Sequence, residues 1–84
     1  MNRGKVLERV LSRTSDANIR FDELCHLLSS LGFEMRVRGN HHIFRKAGVE
    51  EKINLQREGS EAKPYQVRQV RAVILKYRLG GQEL

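Results

Sequence analysis

Two adjacent histidines, His41 and His42, lie in the run Arg36-Val37-Arg38-Gly39-Asn40-His41-His42-Ile43-Phe44-Arg45. Imidazole gives and takes protons near neutral pH, so a side chain of this type can act as general acid or base in phosphoryl transfer. A ribose phosphodiester carries its own nucleophile, the 2′-hydroxyl, which such a base can direct at the adjacent phosphate. The reaction needs no metal if nearby cations stabilise the charge developing on phosphorus. Arg36, Arg38, Arg45 and Lys52 are close enough in sequence to supply those cations if this part of the chain forms a meander.

Strand parity separates the histidines. Successive strand residues point to opposite faces, so His41 and His42 do not line the same surface. If Phe44 packs into the core, His42 turns inward with it and His41, Ile43 and Arg45 face outward; this arrangement is the one expected here. The reverse holds if Ile43 is the core residue, and a bulge beside Gly39 would spoil the parity. Read without further information, two histidines beside a hairpin also fit surface or packing roles.

A second set of cations lies near the C-terminus. Arg68, Arg71 and Arg78 line one flank of a helical segment, and Lys63 stands at its start, where free amides favour an anion. A solvated face explains these residues equally well. Cys25 and His26 are neighbours on one helix and have no metal-ligand spacing with His41 or His42. Cys25 borders an apolar arc and reads as packing; His26 reads as solvated. No metal and no cofactor are expected.

The elements that would position these residues follow from periodicity. Val6, Leu7, Val10 and Leu11 mark a short amphipathic helix over 5–12, and the polar residues 13–18 read as a connection. Phe21, Leu24, Leu28 and Leu31 share one helical face, Asp22 and Glu23 suit its first turn, and Gly32 suits its C-terminal cap, giving a helix over about 21–31. The period then changes to two: Phe33, Met35 and Val37 alternate with charged residues in one half-buried strand, His41 to Lys46 form a second, and Val49 to Gln56 a third. Pro64 fits the first turn of a final helix that buries Val67, Val70, Val73, Ile74 and Tyr77 and ends at Gly80-Gly81. The order is helix, helix, three strands, helix: an α+β fold with a three-stranded antiparallel sheet, helices on one face and the other face open.

Eighty-four residues suffice for one domain, and apolar residues at 39% suffice for one core. Residues 1–84 are therefore read as a single domain, with 1–19 an N-terminal extension, 20–79 the core and 80–84 a tail. A lone cysteine excludes a disulfide framework. No stretch resembles a membrane span or a secretory signal, so a cytoplasmic protein without membrane attachment is expected. Sixteen Lys and Arg against ten Asp and Glu give a net charge of +6, suited to a polyanionic partner.

The run Gly39-Asn40-His41-His42-Ile43-Phe44-Arg45 resembles the Gly-Ser-His-His-aromatic signature of HicA toxins. The surrounding order is similar too: a helix ending Leu31-Gly32-Phe33, the histidine-bearing hairpin, a third strand, Lys63-Pro64 and a closing helix. The resemblance covers about residues 20–79. It implies a fold like that of double-stranded-RNA-binding domains, metal-independent cleavage of mRNA, and inhibition by a HicB-type antitoxin. By position after the glycine it points to His41 as catalytic, with His42 in reserve, and to Gly39 as the residue allowing a tight approach to the strand. Asn40 replaces the usual serine, and the third strand ends Asn54-Leu55-Gln56 where the family has a proline-containing segment.

The leading expectation is thus an endoribonuclease toxin, with Arg36, Arg38, Gly39, Asn40, Arg45, Lys52, Lys63, Arg68 and Arg71 as the RNA-binding set. A non-catalytic RNA-binding module and a protein-interaction domain are the alternatives. A helix-turn-helix DNA reader is disfavoured because a sheet separates the better helices.

Overall fold

A computed structural model describes residues 3–13 and 16–80. Helix α1 (Arg3–Ser12) is followed by a 3-10 turn (Asp16–Asn18), helix α2 (Phe21–Ser30), strands β1 (Glu34–Arg38), β2 (His41–Arg45) and β3 (Ile53–Gln56), and helix α3 (Pro64–Tyr77). The sheet is antiparallel in the order β1-β2-β3. The α+β class and the element order match the sequence expectation.

The core joins all three helices to one face of the sheet. Val6 and Val10 of α1, Phe21, Leu24, Leu27 and Leu28 of α2, and Val67, Val70 and Ile74 of α3 enclose Phe44, Ile53 and Leu55. The N-terminal helix therefore enlarges this core. Phe44, Ile53 and Leu55 are fully buried, and strand alternation sets Ile43 and Asn54 on the opposite, open face.

Both later helices begin with the same device. The carboxylate of Glu23 accepts the backbone N–H of Arg20 at 3.0 Å, and the amide oxygen of Gln66 accepts that of Lys63 at 3.0 Å. Each reaches back from the third helical position to an amide the helix cannot satisfy. Gln66, almost fully buried, also donates through Nε2 to the carbonyl of Gln56 at 3.0 Å, tying α3 to the end of β3.

Several boundaries differ from the periodic reading. β3 begins at Ile53 rather than Val49, because the chain before it is held elsewhere. The Val49 N–H donates to the Lys46 carbonyl, and Glu51 accepts from Tyr77 Oη at 2.6 Å and Lys76 Nζ at 2.8 Å. Helix α3 ends at Tyr77 with Arg78 left-handed (φ 53°), ahead of the glycines expected to stop it. Residues 81–84 of the expected 80–84 tail, like Thr14 and Ser15 of the connection, lie outside the described residues. Met35 and Val37, expected on the buried face of a half-buried strand, stand 48% and 50% exposed, because α3 packs against β3 and the helical layer does not reach over β1.

Arg71 requires a correction. Expected on an RNA-binding flank, it is 8% exposed and points inward: Nη1 donates to Asp16 Oδ1 at 2.9 Å and to the Val10 carbonyl at 3.1 Å, and Nη2 to Asp16 Oδ2 at 3.3 Å. A buried guanidinium needs such partners. Here they pin the end of α1 and the following turn to α3, which leaves the group unavailable to phosphate.

Candidate functional site

Register determines which side chains meet. His41 pairs with Arg38 of β1 and Gln56 of β3; Ile43 pairs with Arg36 and Asn54; Arg45 pairs with Glu34. Directly opposed residues share a face. His41, Ile43 and Arg45 therefore lie on the open face with Arg36 and Arg38, as parity with a buried Phe44 requires. A shallow depression on this side is lined by Glu34, Met35, Arg36, Arg38, Ile43, Arg45 and Lys52. Among the described residues, none of these four cations enters a salt bridge.

The hairpin presents His41 at the start of β2. Gly39 has φ +61° and Asn40 does not share a positive φ, the backbone pattern of a II′ turn with glycine first. The Asn40 side chain donates to the Arg57 carbonyl at 3.4 Å, and the Arg57 N–H donates to the Asn40 carbonyl at 2.8 Å. The turn is thereby fastened to the chain leaving β3. Beside it, Nδ1 of His41 lies 3.2 Å from Oδ1 of Asn54. The tautomer carrying its hydrogen on Nδ1 donates to that oxygen and leaves the Nε2 lone pair free to accept a proton.

His42 occupies different surroundings. Its ring meets Phe21 edge-on with centroids 5.0 Å apart, and its buried Nδ1 has no partner among the described residues. The Arg57 guanidinium lies 4.6 Å from the Phe21 ring centroid and is ion-paired with Asp22, whose carboxyl it holds below the usual value. The two histidines thus belong to two sites on opposite faces.

The remaining sequence candidates do not join the open-face cluster. Lys63 is the N-cap residue of α3 and stands 3.9 Å from Glu58; Arg68 is exposed on α3 near Asp16; Arg71 is buried. Cys25 is buried, and desolvation pushes its thiol up to about 11, which suits packing and opposes nucleophilic use. Among the described residues no three His, Cys, Asp or Glu side chains gather as metal ligands would. No described helix is long and apolar enough to cross a membrane.

Asn54 and Arg57 were not among the sequence candidates. Alternation already set Asn54 on the face opposite Ile53 and Leu55, so its direction was legible. Its partner was not, because that depends on the β2–β3 register.

The family model described as "HicA toxin of bacterial toxin-antitoxin" matches residues 21–77, more than half the chain. No curated protein and no solved structure matches.

Proposed function

The chain belongs to the HicA toxin family of bacterial toxin–antitoxin systems, and on that premise we propose that it is a metal-independent endoribonuclease acting on mRNA in the cytoplasm, with His41 as its general base. The observation that carries this reading is the contact between His41 Nδ1 and Asn54 Oδ1 on a sheet face that also bears Arg36, Arg38, Arg45 and Lys52. A base oriented through one nitrogen and open at the other, beside unpaired cations, suits attack by a ribose hydroxyl.

In the proposed reaction Nε2 of His41 takes the proton of a 2′-hydroxyl. The 2′-oxygen forms its bond to the adjacent phosphorus, the bond to the 5′-oxygen breaks, and that oxygen takes a proton from water. The products are a 2′,3′-cyclic phosphate and a 5′-hydroxyl. Arg38, directly across from His41, and Arg36 lie nearest the charge that develops; Arg45 and Lys52 hold neighbouring phosphates. Gly39 and Asn40 shape the turn that presents the base. Lys63 and Arg68 are left to contact more distant backbone, and His42 is the reserve base. Neutralisation by a HicB-type antitoxin completes the reading.

The test is incubation of purified protein with mixed-sequence single-stranded RNA in EDTA, beside a folded His41→Ala variant. Cleavage that disappears in the variant is the expected result. Undiminished cleavage by the variant transfers the role to His42 or removes the histidine mechanism. Salt-sensitive RNA binding without cleavage by either protein favours the non-catalytic module, a reading for which the four unpaired cations alone suffice.

A further inference from the structure

The sheet has two outer edges, and they differ. Among the described residues β3 pairs only with β2, yet its helix-side residues Ile53 and Leu55 are fully buried. β1 likewise pairs only with β2 among the described residues, but all five of its residues are exposed. Met35 and Val37 share the helix-side face with Phe44 and His42, their register partners, and still remain about half open to solvent. On the other face of the same strand Arg36 and Arg38 have no ion-pair partner among the described residues. β1 therefore presents a free backbone edge, two apolar side chains below it and two free cations above it.

We infer that β1 is the docking edge for a strand of the antitoxin partner in which acidic and apolar residues alternate. An added strand satisfies all three features at once. Its backbone completes the ladder, its apolar side chains extend the surface formed by Met35 and Val37, and its carboxylates stand beside Arg36 and Arg38. The inference rests on the toxin reading, and it names how that toxin is neutralised. Carboxylates placed there occupy Arg38, the residue opposite His41, and compete directly with substrate phosphate.

Charge argues against the other occupants. Two copies of this chain pairing through β1 would bring Arg36 and Arg38 of one against the same arginines of the other, and like charges on facing strands repel. An RNA strand suits the arginines, but it neither completes a peptide ladder nor covers Met35 and Val37.

The test uses the full 15N-labelled chain and, as probe, a capped heptapeptide alternating glutamate and valine. Backbone amide exchange is followed by NMR, and RNA cleavage is followed in parallel. Expected are exchange slowed at least tenfold within residues 34–38 and inhibition of cleavage over the same peptide concentrations. The neutral variant Val37→Thr, at a position outside the lining of the open-face depression, should weaken the peptide about threefold while cleaving RNA normally without it. No protection up to millimolar peptide overturns the proposal, as does equal protection by a lysine–valine peptide or protection confined to other elements. Protection of 34–38 that appears without peptide as the chain dimerises assigns the edge to a second copy instead. The exchange readout does not depend on catalysis, so a chain that binds the peptide but cleaves no RNA separates failure of the enzyme reading from failure of this one.

Discussion

His41 and Asn54 approach each other diagonally across the β2–β3 pair, Nδ1 to Oδ1 at 3.2 Å, while the register partner of Asn54 is Ile43. The contact uses the imidazole nitrogen nearer the backbone and leaves the outer one out of this hydrogen bond. An amide in this position orients the ring and selects its tautomer without adding a negative charge that would repel phosphate.

Asn54→Ala should therefore lower kcat about 10- to 100-fold with little change in KM, whereas His41→Ala should lower it at least about 100-fold, the usual scale of a lost general base. Single-turnover cleavage of a short RNA measures both. Equal kcat for wild type and Asn54→Ala would show that the ring needs no orienter.

His42 should behave as a packing residue. Its edge-on contact with Phe21 survives replacement by another aromatic ring, and the substitution removes a buried nitrogen that lacks a partner. His42→Phe is expected to retain cleavage and to change unfolding free energy by less than about 1 kcal/mol. Loss of cleavage in a folded His42→Phe protein would move the active site to the other face.

The open-face cations should be read out by salt. Each phosphate contact on single-stranded RNA contributes about −0.7 to the slope of log affinity against log salt. Arg36→Ala, Arg45→Ala and Lys52→Ala should each flatten the slope by about that amount, measured by fluorescence anisotropy. Unchanged slopes in all three variants would place the RNA elsewhere.

Fold and site were legible in the sequence to different depths. The 3.6-residue spacing of Phe21, Leu24 and Leu28 marked α2, and alternation through Ile43, Phe44 and Arg45 set the parity of the histidines, because both signals are local. The fate of Arg71 was not local: its partners Asp16 and Val10 lie 55 and 61 residues away, and nothing in helix periodicity reports them. Met35 and Val37 show the same limit. Their alternation was correct, but burial also depends on how far the helical layer extends over the sheet, a property of packing between distant segments.

That long-range arginine makes a stability prediction distinct from the binding ones. Arg71→Met keeps much of the side-chain volume but deletes charge-assisted hydrogen bonds to Asp16 and the Val10 carbonyl. A loss of about 2 kcal/mol in urea unfolding is expected, with the salt slope of RNA binding unchanged. A changed slope with unaltered stability would restore Arg71 to the RNA-binding set.

Acid should unfold the protein through its paired carboxylates. Hydrogen bonds from Lys76 and then Tyr77 hold Glu51 down at about 2 against an ordinary 4.5; Arg71 lowers Asp16 and Arg57 lowers Asp22. A carboxyl whose folded pKa lies below its unfolded one favours folding in its ionised form. The stabilisation is complete above the unfolded values and disappears as pH falls toward the folded ones. The urea midpoint should therefore be insensitive to these groups above about pH 5 and fall steadily from about pH 4.5 to 2. Lys76 is shifted the opposite way, raised by the same Glu51, so its contribution is present below its unfolded pKa and is lost as pH rises through the higher folded value. Glu51→Gln removes the acid-labile partner and should flatten the fall between pH 4.5 and 2, while leaving RNA cleavage unchanged. A fall equally steep in Glu51→Gln and wild type would show that the Glu51–Lys76–Tyr77 cluster does not link folding to pH.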